Sequence, residues 1–159
     1  MEKNFPVTTA IRVLRENNIE FTPYLFNYIE KGGTKQTAEE LSADEHNIIK
    51  TLIMETENGD ALVVLMHGDK EVSTKELARI LKVKKINTCE ANKSMRLTGY
   101  QFGGTSPFGL RTKLPIYAES SIFQLSNIFI NGGKRGFIIE INPLELLKAF
   151  NLVKVNVAI

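Results

Sequence analysis

The chain of 159 residues contains one cysteine, two histidines and no tryptophan. A lone thiol, Cys89, excludes an internal disulfide framework. Structural zinc needs four cysteine or histidine ligands, usually in close pairs, and Cys89, His46 and His67 fall short of that set. No run of apolar residues reaches the length of a membrane span. The segment Met1–Pro6 carries charges and no apolar stretch follows it, so a secretory leader is not expected and the cytoplasm is the expected location. Formal net charge is only +2, which excludes a polycationic, non-specific nucleic-acid binder.

Familiar catalytic motifs are also missing. Gly132-Gly133-Lys134-Arg135-Gly136 places arginine where a phosphate-binding loop needs serine or threonine. Gly104-Thr105-Ser106-Pro107-Phe108 begins like a nucleophile elbow but ends in phenylalanine instead of glycine. Two histidines leave little from which to build a serine-hydrolase triad. Any catalysis must therefore proceed without a metal, a cofactor or such a triad.

What is present is a globular balance, with 43% hydrophobic and 24% charged residues. A chain of this length buries roughly 68–70% of its unfolded surface and needs no staples. One domain over residues 1–159 is the expectation. Helical spacing is found at Thr8–Glu16. Capping boxes at Thr37/Glu40 and Ser73/Glu76 predict helices over Ala38–Asp44 and after Ser73, the latter with Leu77, Ile80 and Leu81 inward. Glu90–Leu97 reads as a helix ended by Gly99, and Asn142-Pro143 opens a closing helix that places Leu146 and Leu147 against Phe150. Strands are expected at Phe21–Phe26, Ile48–Glu55, Ala61–Met66, Val83–Asn87, Pro115–Ala118, Asn127–Ile130, Phe137–Ile141 and Val153–Val157. Lys31–Gln36 and Asn131–Gly136 read as loops. The order is not a regular βαβ alternation, so an α/β or α+β fold with a mixed, curled or partly closed sheet is predicted.

Three constellations carry possible chemistry. The glycine-dense stretch Thr98–Gly109 can bring main-chain N–H groups close to a ligand, and Pro107 stiffens its path. Such a wall of donors is what an oxyanion hole requires. The second is Asn131–Gly136. Each stretch, taken alone, is equally a tight strand connection. The third is Lys50, alone in the apolar strand Ile48-Ile49-Lys50-Thr51-Leu52-Ile53. It lies either on a solvated face or in a pocket, where it would be a compact cation for a carbonyl or a phosphate. Basic clusters at Lys82, Lys84 and Lys85, at Arg111 and Lys113, and at Lys134 and Arg135 are solvated surface or local phosphate contacts.

Together and in this order, Lys50-Thr51-Leu52, Thr98-Gly99-Tyr100, Gly103-Gly104-Thr105-Ser106-Pro107-Phe108-Gly109 and Gly132-Gly133-Lys134-Arg135-Gly136 resemble the YbaK/EbsC family of editing domains associated with prolyl-tRNA synthetase. The resemblance spans nearly the whole chain. It implies a mixed, barrel-like sheet flanked by helices and hydrolysis of the ester that joins an amino acid to the 3′ end of tRNA, with no cofactor. Lys50 then matches the family's central active-site residue. The resemblance assigns substrate binding to Phe26, Thr51, Gly103, Gly104, Thr105, Ser106, Pro107, Asn131, Gly132, Gly133 and Lys134. Mischarged tRNA, most often cysteine or another small residue on proline tRNA, is the implied substrate, prolyl-tRNA synthetase is the implied partner, and no membrane is involved. Three positions depart from the pattern: Phe26 for tyrosine, Asn131 for serine and Ile138 for aspartate. They make the site less polar and feed a second reading, a non-catalytic module that binds an RNA end or a nucleotide.

Overall fold

The computed structural model describes residues 4–159, so the first half of the Met1–Pro6 segment lies outside it. The element order is α1 (Thr9–Glu16), β1 (Thr22–Leu25), α2 (Gly33–Leu41), β2 (Ile48–Thr56), β3 (Ala61–His67), α3 (Thr74–Leu81), β4 (Ile86–Thr88), α4 (Ala91–Thr98), β5 (Ile116–Glu119), β6 (Ile128–Lys134), β7 (Phe137–Ile141), α5 (Glu145–Ala149) and β8 (Val153–Val155). Short 3₁₀ turns at Glu45–Asn47 and Ser120–Gln124 join the elements. Among the described residues no helix is long and apolar enough to cross a membrane.

The fold is α+β around one mixed sheet. Hydrogen bonding follows the path β1-β7-β6-β2-β3-β5-β8, with β4 pairing on β2. The β2–β3 and β6–β7 pairs are antiparallel hairpins, whereas β2–β6, β3–β5 and β5–β8 are parallel. Period-2 alternation divides β2 between two faces. Ile49 and Ile53 enter the main core with Ile11 and Leu14 of α1 and Leu146 of α5. Ile48 faces the other way, into a small cluster with Ala38 of α2, Phe129 and Ile138. Met54 shares that second face with Leu77 and Ala78 of α3. Strand β7 is buried on both faces, as its nearly continuous apolar run predicts: Phe137, Ile139 and Ile141 lie in the main core and Ile138 lies opposite.

Helix ends follow local chemistry. The Ser73 hydroxyl accepts from Glu76 N–H and opens α3, and Gly99 closes α4 in the left-handed region. Four expectations need correction. The α2 helix begins at Gly33, so Lys31–Gln36 is not a loop, and Thr37 lies inside the helix with its hydroxyl directed back to the Gly33 carbonyl. Threonine satisfies a carbonyl four residues back as readily as it caps, so the Thr37/Glu40 spacing is ambiguous. In α3 Leu77 and Ala78 are buried and Leu81 packs against the same cluster, whereas Ile80 is exposed. Asn131–Lys134 is not a loop but the end of β6, which continues past its partner through a bulge between Asn131 and Lys134. In α5 the first helical residue is Glu145, and Leu147 is exposed while Leu146 is buried.

Candidate functional site

Lys50 projects from the middle of β2, on the same face as Ile48 and Leu52. A cleft of about 510 Å³ opens above it. Phe26, Ile48, Leu52 and Ile138 give it apolar walls, the buried Gln36 and Thr37 add polar ones, and Tyr28, Lys31, Phe102, Gly103, Thr105 and Asn131 line it as well. The Lys50 side chain is 20% exposed, and its Nζ lies 3.5 Å from Glu71 Oε1. Glu71 is itself tied through its backbone to Ile159 in both directions. Lys50 thus reaches the cleft from an apolar strand, with one acidic neighbour, Glu71, beside its ammonium. Thr51, the next residue, also borders the cleft, and its hydroxyl is buried with no hydrogen-bond partner among the described residues.

The glycine loop after α4 forms one side of the cleft. Internal hydrogen bonds hold the loop. The Tyr100 hydroxyl donates to the Phe108 carbonyl, and burial pushes that phenol up to about 12, so it remains a donor at any physiological pH. The Thr98 hydroxyl accepts from Tyr100 N–H, and Ser106 Oγ accepts from Phe108 N–H. Gly103 has φ +85°, and a Cβ there would meet the Tyr28 hydroxyl at 2.7 Å, so only glycine fits. The Gly104 N–H is consumed by the Gln101 carbonyl at 2.9 Å. Gly103 and Thr105 both line the cleft, and their N–H groups find no acceptor among the described residues.

Asn131 joins the two glycine stretches. Its Oδ1 accepts from Gly133 N–H at 2.6 Å and from Lys134 N–H at 3.1 Å, which shapes the β6 bulge. Its Nδ2 donates to the Gly103 carbonyl at 3.3 Å. Arg135 Nε donates to the Phe102 carbonyl at 2.8 Å. The α1 N-cap is coupled to the same place, because Thr8 Oγ1 both accepts from Ile11 N–H and donates to the Gly132 carbonyl. Asn131 is therefore a double-ended clasp between the two glycine stretches.

Of the residues singled out from sequence, Phe26, Lys50, Thr51, Gly103, Thr105 and Asn131 line the cleft. Gly104, Ser106, Pro107, Gly132, Gly133 and Lys134 do not. Gly104, Ser106 and Pro107 are buried in the supporting loop and Gly132 in the end of β6, so their place is structural support behind the rim. Tyr28, Gln36 and Thr37 line the cleft and were not anticipated, and Phe102, within the glycine-dense Thr98–Gly109 stretch, lines it too. Gln36 is buried and clamps the segment after β1: its Nε2 donates to the Asn27 carbonyl and its Oε1 accepts from Ile29 N–H, which sets Tyr28 in place. The alternation of Phe26 and Tyr28 is the one sequence signal that could have pointed there.

Among the described residues, His46, His67 and Asp69 bring ligand atoms within 4.8 Å of one another. They form a hydrogen-bonded stack and not a metal cage. The imidazole rings lie 3.8 Å apart and 7° from parallel, so their in-plane lone pairs run side by side instead of converging. His67 Nδ1 meets the His46 carbonyl and Nε2 meets Ser121 Oγ, each at 2.7 Å. A carbonyl only accepts, so Nδ1 carries the proton and Nε2 accepts from the serine. His46 Nδ1 pairs with Asp69 Oδ1 at 2.8 Å. Burial pushes the His67 pKa down, so the native state binds fewer protons here than the unfolded chain. Its contribution to stability is complete above about pH 6.5, the unfolded imidazole value, and is lost as pH falls through the depressed native value. Thermal melts between pH 7.5 and 5 should show Tm falling on acidification, with a shallower slope for His67→Gln. Equal slopes for the two proteins would contradict this assignment.

Residues 31–149 match the family model of the aminoacyl-tRNA editing domain. A protein of Enterococcus faecalis with the provisional name Cys-tRNA(Pro)/Cys-tRNA(Cys) deacylase EbsC is 30% identical over 145 residues, which is 91% of this chain and 88% of that one. The proline–tRNA ligase of Brachyspira hyodysenteriae is 31% identical over 88 residues, 55% of this chain but only 15% of the ligase. A solved structure, provisionally described as a trans-editing enzyme for prolyl-tRNA synthetase, superimposes with a TM-score of 0.82 at 21% identity, covering 96% of this chain and 98% of that one, and so shows the same fold. With the family model covering three quarters of its length and a relative matched almost end to end, the chain belongs to the aminoacyl-tRNA editing domain family.

Proposed function

We propose that the protein is a trans-acting aminoacyl-tRNA deacylase that hydrolyses the ester of a mischarged tRNA, with cysteine or another small amino acid on proline tRNA as its substrate class. The carrying observation is the juxtaposition, in one cleft, of the Lys50 ammonium with the unpartnered N–H groups of Gly103 and Thr105. Both kinds of donor stabilise an oxyanion. Water adds to the ester carbonyl, negative charge develops on the carbonyl oxygen between these donors, the acyl C–O bond breaks, and the ribose oxygen leaves with a proton. The products are the free amino acid and an intact tRNA 3′ hydroxyl. An aminoacyl ester is already reactive, so polarising its carbonyl is sufficient chemistry, and a single oxyanion donor contributes about 10²–10³ in rate.

The cleft has the volume of a nucleoside-sized ligand, so the 3′ end of the tRNA enters while the helical stem stays outside. Apolar walls from Phe26, Ile138 and Leu52 suit a small, apolar or weakly polar side chain and offer no charge to a polar one. Selection by such a second site is the logic of editing, because one methylene is worth only about 1–3 kcal/mol. The likeness to a segment of proline–tRNA ligase supports a prolyl-tRNA synthetase as working partner and the cytoplasm, where translation occurs, as the site of action.

The test is release of amino acid from cysteinyl-, alanyl- and prolyl-tRNA of the proline acceptor, with and without prolyl-tRNA synthetase. Cleavage of a noncognate ester with prolyl-tRNA spared is the expected result and names the substrate. No release above the spontaneous rate, even with the synthetase present, would favour the non-catalytic RNA-end binder that the Phe26, Asn131 and Ile138 departures suggest.

A further inference from the structure

We infer that Phe102 is a stacking platform for the unpaired terminal base of the RNA; this rests on the deacylase reading and deepens it. Phe102 is 71% exposed, yet it lines the cleft at its mouth and its backbone is held firmly. The Phe102 carbonyl accepts from Arg135 Nε at 2.8 Å, and its neighbours are fixed by the Gly104–Gln101 and Asn131–Gly103 hydrogen bonds. Arg135 in turn lies over the Tyr28 ring, 5.1 Å from its centroid. A single exposed phenylalanine is ordinary on a protein surface. What distinguishes this one is its setting: an aromatic ring on a pinned backbone at the mouth of a nucleoside-sized cleft, with cations nearby.

Those cations decide the occupant. Lys31 lines the cleft, Arg135 is bound to the Phe102 carbonyl and Lys134 precedes it in the chain; all three are exposed, and among the described residues none forms an ion pair with a carboxylate. A protein anchor would meet the aromatic ring, but three unneutralised charges beside it fit a polyanion with flat faces. Positive grooves carrying aromatic platforms are how single-stranded nucleic acid is held without sequence readout. The terminal base stacks on Phe102, the adjacent phosphates lie along Lys134, Arg135 and Lys31, and the ester is thereby delivered towards Lys50. Phe102 is a positioning residue in this scheme, since it touches the base and not the reacting atoms.

The chain has no tryptophan, so Phe102→Trp places the only indole of the protein at the rim. Titration with 5′-AMP should quench its fluorescence, and equilibrium dialysis should show 5′-AMP binding weakened about 5-fold or more by Phe102→Ala and by Phe102→Leu, but retained by Phe102→Trp. In turnover, the preference for 3′-O-alanyl-adenosine over the same ester on base-free ribose should be lost in Phe102→Ala and kept in Phe102→Trp, with the change in KM and not in kcat. Equal 5′-AMP affinity in wild type, Phe102→Ala and Phe102→Leu would overturn the inference. So would an effect seen only with the synthetase present, which would make Phe102 a protein contact. Failure to hydrolyse either ester, with 5′-AMP binding still dependent on an aromatic at 102, would sink the deacylase reading and leave the base platform standing.

Discussion

Lys50→Met is expected to lower kcat for deacylation about 10²–10³-fold while leaving the fold in place. The size follows from the role: a preformed cation at a developing oxyanion acts where water is largely excluded, and it is worth about as much as one oxyanion-hole donor. The fold should survive because little else depends on the charge. The ion pair with Glu71 has one highly exposed partner, and such pairs contribute about 0–1 kcal/mol. For a chain of this size that is a Tm change of only a few degrees. Methionine also keeps a flexible stem between Ile48 and Leu52, so the packing of the β2 face is preserved. Lys50→Arg should recover little, since a planar guanidinium is larger than an ammonium and presents its donors in a fixed fork. The measurement is single-turnover release of the amino acid beside a thermal melt. A Lys50→Met protein within about threefold of wild-type kcat would remove the ammonium from the reaction, and the N–H groups of Gly103 and Thr105 would have to carry it alone.

The same residues show how far a sequence can be read. The strand Ile48–Ile53 is legible because β-branched residues alternate with period 2, and that alternation alone puts Lys50 opposite the main core. It does not say whether the opposite face is solvent or cleft. That depends on α2 and on the 99–109 loop, which close over the strand from distant parts of the chain. The glycine-rich loop after α4 is visible as a loop, whereas the second glycine stretch belongs to the end of β6, and even a loop has two sides. Ser106 and Pro107 look like site residues on paper and are buried behind the rim, because the Ser106 hydroxyl serves the Phe108 N–H within its own turn. Tyr28 and Gln36 went unseen for the converse reason. Gln36 matters only through two hydrogen bonds to a segment seven to nine residues away, and no local pattern encodes that clasp. The Thr37 misreading shares this origin, since the same spacing caps a helix or sits within one.

Gly104→Ala is the substitution expected to do most harm for the fewest atoms. At Gly104 the backbone angles do not forbid alanine; the obstacle is contact. An added Cβ would stand 2.8 Å from Arg135 N, 3.0 Å from the Lys134 carbonyl carbon and 3.2 Å from Lys134 Cα. All three are main-chain atoms, so no rotamer relieves the clash and the two glycine stretches must part by some tenths of an ångström. The bonds that stitch them, from Arg135 Nε to the Phe102 carbonyl and from Asn131 Nδ2 to the Gly103 carbonyl, cross this same contact. Overpacking of this kind costs about 1–3 kcal/mol, so Tm should fall by several degrees. The larger effect should be on turnover. Gly103 and Thr105 flank the displaced residue, their N–H groups are the proposed oxyanion donors, and a misplacement approaching 1 Å costs about 10²-fold. A kcat loss of about 10- to 100-fold in protein still folded at the assay temperature is the expected outcome. Because Lys50 sits on a different element, its double mutant with Gly104→Ala should lose less than the product of the two single losses if both donors serve one oxyanion. Fully multiplicative losses would mean that the lysine and the loop act on different steps. A Gly104→Ala protein with lowered Tm and wild-type kcat would show instead that the spacing of the two loops is a matter of stability alone, and the oxyanion would have to be assigned to Lys50 without them.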